Sequence, residues 1–171
     1  MSVLTDEDIV NSIKAKTPLH FKKSPSRVHP NHSWWMSCDG VISFNGRIDA
    51  SFEIESKETL RGFRGDALLQ FKDVDGNILW CLDTPSWGVG AGAELAASYR
   101  KEWIHESIPF EILYYTSHVE CFFRENTDGS GWSQFATNLD KARHDIDTAL
   151  GGNGDGSKIK NVIELWLKNS A

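Results

Sequence analysis

Loop tryptophans set among short polar side chains are the feature of this 171-residue chain best suited to chemistry. Trp87 follows Asp83, Thr84 and Ser86 in a Gly-rich stretch, and Trp132 stands among Asn126, Asp128, Ser130, Ser133 and Gln134. A flat indole face with fixed hydrogen-bonding groups around it is what a sugar site uses. Trp34 and Trp35 are consecutive, so on a strand they point to opposite faces, and one of them can join the other two. The expected ligand site is Trp87, Trp132, Trp34 and Trp35 with Asp83, Asp128, Asn126 and His32. Against it stands a structural reading in which the loop tryptophans plug the open end of a sandwich.

Other chemistries fail on spacing. His29 and His32 have an HxxH spacing, but Pro30 between them denies the helix that would align two imidazoles, and no third ligand is nominated. The stretch Asp73 to Asn77 suggests a calcium loop, yet its Gly76 stands fourth where the sixth place is needed. In the loop from Asn153 the twelfth place is Glu164, but Lys158 holds the sixth. Asp49, Glu53 and Glu55 share one strand face at a separation that carboxylate pairs of inverting glycosidases use, but that face reads as solvated, without the burial that raises a general acid's pKa. No GxSxG, Walker or GxGxxG motif occurs. Cys38 and Cys121 fall on apolar faces and read as buried structural thiols. No catalytic residue, metal or cofactor is therefore expected.

Composition sets the class. Forty per cent hydrophobic residues and seven Trp exclude general disorder. A net charge of −6 disfavours a nucleic-acid partner. The local exception, Lys14, Lys16, Lys22, Lys23 and Arg27 without an intervening acid, reads as a solvated arm. No run of 18 apolar residues offers a membrane span, and the acidic start is unlike a secretory leader. Three widely spaced cysteines without CxxC suit a reducing compartment, so the expected location is cytoplasmic.

The elements that would carry these residues follow from periodicity. Thr5 with Asp6, Glu7 and Asp8 caps a helix that ends before Thr17-Pro18, with Leu4, Ile9, Val10 and Ile13 as its apolar stripe, packed at the edge of the body. Residues 17–32 read as an irregular basic arm. From Arg47 to Glu55 the alternation is complete, and a three-residue loop Phe44-Asn45-Gly46 with Gly46 left-handed pairs Ser43 with Arg47. Asp75-Gly76 predicts a two-residue turn with Phe71 opposite Trp80, Leu69 opposite Leu82 and Asp73 opposite Ile78. A third hairpin is expected to pair Ile108–Tyr115 with His118–Glu125. Trp80, Trp103 and Trp166 fit core positions. Residues 94–104 suit strand or helix equally, 138–150 form an amphipathic helix, and 158–168 lean to a strand because β-branched residues crowd it.

The sequence therefore predicts one domain over residues 1–171: a helix at 1–16, the arm at 17–32 and a β-rich body at 33–171. Its class is mainly β, an antiparallel sandwich or strongly curved sheet with an N-terminal helix and one late amphipathic helix. The alternative is α+β, with a helix covering one sheet face. The predicted function is a non-catalytic binding module for a carbohydrate or other small amphipathic ligand. A hydrolase with a His/carboxylate centre and a protein-interaction domain are the alternatives, and the apolar sheet faces are compatible with a homo-oligomer.

Overall fold

The computed structural model describes residues 4–91, 98–126, 139–154, 156 and 158–170. Its elements are α1 (Asp6–Lys16), β1 (Leu19–Arg27), β2 (Trp34–Ile42), β3 (Arg47–Ser56), β4 (Phe63–Lys72), β5 (Ile78–Asp83), β6 (Trp87–Val89), β7 (Tyr99–Ser107), α2 (Phe110–Tyr115), β8 (His118–Glu125), α3 (Leu139–Ala149) and α4 (Ile159–Ser170). The chain is mainly β, with two antiparallel four-stranded sheets. The first runs β1-β2-β3-β7; in the second, β4 pairs with β5 and β6 along one side and β8 along the other. No helix among the described residues is long and apolar enough to cross a membrane.

The period-two pattern packs the sheets face to face. Met36, Cys38, Ile42, Ile48, Phe52 and Ile54 of the first sheet and Phe63, Ala67, Leu69 and Phe71 of the second share one buried cluster. The Cys38 and Cys121 thiols, one from each sheet, are both buried in it; the neighbouring Cys121 thiol and burial hold Cys38 protonated, above the ordinary thiol range. The predicted turn at Phe44-Asn45-Gly46 is present: Ser43 and Gly46 close it, Gly46 has φ +83°, and Ile42 faces Ile48.

Helices close one end of the sandwich. Thr5 and Asp8 form a reciprocal capping box, and Ile9, Val10 and Ile13 are fully or almost fully buried. The edge placement expected for α1 is therefore corrected: Ile9, Val10 and Ile13 are part of the core, worth about 1.5–3 kcal/mol per buried side chain, while Leu4 of the expected stripe is exposed. The α3–α4 turn wraps the buried Asp147 carboxylate, which accepts from the backbone N–H of Gly154 (2.8 Å), Lys158 (2.7 Å) and Ile159 (3.3 Å). Desolvation pushes that carboxyl up, but the backbone donors outweigh it and hold it below the ordinary range.

Several expectations are overturned. Residues 17–32 are not an irregular arm, because Leu19–Arg27 is an edge strand paired with β2. Phe21 lies directly opposite Gly40, where a Cβ would fall 2.2 Å from its ring, so the glycine makes room for the phenylalanine. Pro25 falls where the register shifts between Lys23 and Ser26, the kind of place an edge strand tolerates proline. The third hairpin is absent: Phe110–Tyr115 is a helix entered through Pro109, with Phe110, Ile112 and Leu113 buried, and β8 pairs with β4 instead. Residues 159–170 are also helical, with Ile159, Val162 and Trp166 inward. Trp103 leaves the core and is 54 % exposed on β7.

Candidate functional site

The segments 28–33 and 57–62 meet at the end of the sandwich opposite the Gly46 turn. Val28 N–H bonds the Trp34 carbonyl (2.8 Å), closing the β1–β2 connection, and Lys57 N–H bonds the Ser33 carbonyl (2.9 Å), joining it to the segment after β3. Within the connection His29 Nδ1 accepts from Asn31 N–H at 3.0 Å. His32 lies flat on Trp34, centroids 3.9 Å apart and planes within 7°, and the other face of Trp34 stacks on Phe63 at 5.1 Å. His29 tilts against His32 at 4.8 Å. The indole N–H groups of Trp34 and Trp35 are buried with no acceptor among the described residues, so Trp34 is held by its faces.

This stack fixes the His32 ring, and a carboxylate fixes its rotation. His32 Nδ1 and Glu58 Oε1 are 2.8 Å apart, and the same oxygen accepts from Ser33 N–H at 3.3 Å. The His32 bond, chiefly, holds the Glu58 carboxyl below the ordinary range against its partial desolvation; the Ser33 amide and the charges of His32 and Arg61 act in the same direction. Beside the pair opens a concavity of about 380 Å³ lined by Asn31, His32, Glu58, Thr59, Leu60 and Arg61. When His32 is neutral, an ionised Glu58 favours the proton on Nδ1 and leaves Nε2 an acceptor.

The predicted ligand residues divide between this site and the frame around it. His32 lines the concavity, and Trp34 lies beneath it. Trp35 is on the opposite face of β2, flanked by Arg27 (5.3 Å) and Lys57 (5.1 Å) over its ring. Trp87 is corrected from an exposed platform to a core residue: it is 6 % exposed, pairs with Gly65 and packs on Phe52 at 5.3 Å. Asn126 comes to the same end but is buried, with Nδ2 donating to Asp66 Oδ2 and to Ser86 Oγ, both at 2.7 Å. Asp66 in turn takes a forked pair from Arg124, at 2.8 and 3.1 Å, which makes the cluster a clamp between β4 and β8. Asp83 is exposed further along β5, opposite Leu68. Trp132 and Asp128 lie outside the described residues.

Glu58 and Arg61 were missed, because no alternation or motif marks the segment between β3 and β4. Its only signal was the density of chemically able side chains in Lys57-Glu58-Thr59-Leu60-Arg61. Elsewhere, Asp49 is tied to His105 (2.5 Å) and Arg47 (3.0 Å), and Glu53 to Tyr99 (2.5 Å), on an exposed sheet face. Among the described residues no group of three or more His, Cys, Asp or Glu is arranged for a metal ion.

No family model and no curated protein matches the chain. A crystal structure of a DUF1425 family member from Shewanella sp. pv-4 is similar over 66 % of this chain and 94 % of its own, with 11 % identity and a TM-score of 0.36. IrmA from Escherichia coli is similar over 70 % of this chain and 89 % of its own, with 15 % identity and a TM-score of 0.32. Likeness at that level assigns this chain neither a family nor a site.

Proposed function

We propose that the chain is a non-catalytic binding module for a small hydroxylated or otherwise amphipathic ligand, a saccharide first among them, seated between segments 28–33 and 57–62. The observation that carries this reading is His32, locked through Nδ1 to Glu58 at 2.8 Å and flat against Trp34, at the wall of the concavity. A preset ring offers its Nε2 without loss of rotamer freedom on binding. Arg61 supplies donors, Asn31 and Thr59 both donate and accept, and Leu60, 85 % exposed, offers an apolar flank. Hydroxyl groups, which also donate and accept, match such a mixed set. The apolar contact assigned in the sequence to loop tryptophans passes to Leu60, beside the His32 ring.

The test is a panel of mono- and disaccharides titrated against the full chain, read by tryptophan fluorescence because Trp34 underlies His32. Binding is expected to weaken about tenfold in His32→Ala and several-fold in Glu58→Gln, on the scale of one hydrogen bond to a charged or oriented group. Unchanged affinity in both variants would place the ligand elsewhere.

The same pair favours a second reading, a hydrolase in which His32 Nε2 takes a proton from water while Glu58 orients the ring. Turnover of nitrophenyl glycosides or esters that is lost in His32→Ala would select it over simple binding.

A further inference from the structure

Strand β7 ends the first sheet and pairs only with β3 among the described residues. Two bonds framing it show which of its backbone groups are used. Ser56 N–H donates to the Ser98 carbonyl and Ile108 N–H to the Gly46 carbonyl. Because bonded pairs alternate in an antiparallel ladder, the even-numbered residues turn their amides to β3. Tyr99, Lys101, Trp103, His105 and Ser107 therefore turn theirs to the other edge, where no described residue pairs with them. Trp103 is 54 % and Tyr99 48 % exposed there, so nine residues of strand offer a template for pairing.

In one register the centre and both ends of that edge complement a second copy. A two-fold axis perpendicular to the sheet opposes residues of equal parity, so each register is centred on one residue. Centred on Glu102, that carboxylate faces its own copy; centred on Ile104, Glu102 faces Glu106 of the copy twice over. Centred on Trp103, the middle of the strand, all nine residues pair. Arg100 then faces Glu106 at both ends, Tyr99 faces Ser107, and the two Trp103 side chains meet at the axis. Opposite charges and aromatic pairs are the cross-strand contacts that stabilise a ladder, and like charges oppose it. Glu106 has no ion-pair partner among the described residues, while Arg100 holds Glu102 at 2.5 Å from an exposed position.

We propose that the chain forms a two-fold dimer through antiparallel pairing of β7 with β7 of a second copy, centred on Trp103, which joins the two first sheets into one eight-stranded sheet. Sedimentation of the full chain at about 100 μM, a concentration that populates even a micromolar dimer, is expected to show a dimer. Arg100→Glu and Glu106→Arg each bring like charges together at both ends and are expected to weaken association about tenfold or more. Mixed in equal amounts, the two variants restore both opposite-charge pairs, and a heterodimer is expected to form. Should either variant fail to fold by circular dichroism, Trp103→Lys, which sets two ammonium groups at the axis, must dissociate the dimer. A monomeric wild type, a mixture no tighter than its components, or a Trp103→Lys dimer as tight as wild type overturns the proposal.

Discussion

The indole Nε1 of Trp166 donates to the Phe44 carbonyl at 2.7 Å, which ties helix α4 to the tip of the β2–β3 turn across 122 residues of sequence. The same ring packs on Phe110 at 5.3 Å, so one side chain joins two helices and a hairpin at the closed end of the sandwich. Trp166→Phe keeps most of the apolar contact and removes the donor. The expected loss is about 1 kcal/mol, or about 2–4 °C in melting temperature for a chain of this size. Trp166→Ala, which also opens a cavity, is expected to lose about 3–5 kcal/mol. Equal melting temperatures for wild type and Trp166→Phe would show that the ring alone holds the helix.

Gly46 and Gly76 allow the backbone and packing costs of one turn to be separated. Both have φ +83°, and both turns close with the glycine N–H on the carbonyl three residues before it. A Cβ on Gly76 meets nothing within 4 Å, whereas one on Gly46 falls 2.9 Å from the Ile108 carbonyl and 3.3 Å from the Trp166 ring. Gly76→Ala is expected to cost only the left-handed conformation, about 1–2 kcal/mol. Gly46→Ala pays that and displaces Trp166 or Ile108 as well, so its urea midpoint should fall clearly below that of Gly76→Ala. Coincident midpoints would mean that the hairpin tip moves freely away from α4.

These two turns also mark where the sequence was legible. At Ser43–Arg47 a two-residue turn would put Ile42 opposite Asp49, so face matching alone selects the bulged loop. At Asp73–Asn77 the two-residue register already matched Phe71 with Trp80 and Leu69 with Leu82, and nothing signalled a different tip. The chain uses the same three-residue loop there, with Lys72 opposite Ile78, and an irregularity between Phe71 and Lys72 restores the predicted pairing further in. Interior strands were readable because burial on one face enforces alternation. Strand β1 was not, since its edge position lets it carry lysines and Pro25, and the short apolar run at Phe110 fits helix and strand alike until tertiary packing decides. At the site, His32, Trp34 and Trp35 were visible as residue types. Their partner Glu58 was not, because a contact 26 residues away in a patternless segment leaves no local trace.

Lys16 gives a pH dependence whose sign can be worked out. Its Nζ donates to the carbonyls of Tyr114 (2.5 Å) and Thr116 (3.0 Å) at the end of α2, and desolvation lowers its pKa to about 8 from 10.5. Below pH 8 both folded and unfolded chains hold the proton, and the cost of burying the charge is fully present. Between pH 8 and 10.5 the folded chain releases it first, so the unfolded chain binds more protons and stability rises with pH. Other groups act oppositely. Cys38 and Cys81, raised above their ordinary 9.0, and Tyr114 and Tyr115, raised above 10.0 (Tyr115 to about 12), ionise first in the unfolded chain and lower stability as pH climbs through those values. The difference between wild type and Lys16→Met cancels those four and isolates the ammonium. Urea midpoints at pH 7 and pH 9.5 are expected to show wild type gaining on Lys16→Met across this interval. A constant gap between the two proteins would mean that Lys16 keeps its ordinary pKa in the fold and that its two carbonyl bonds compensate its burial.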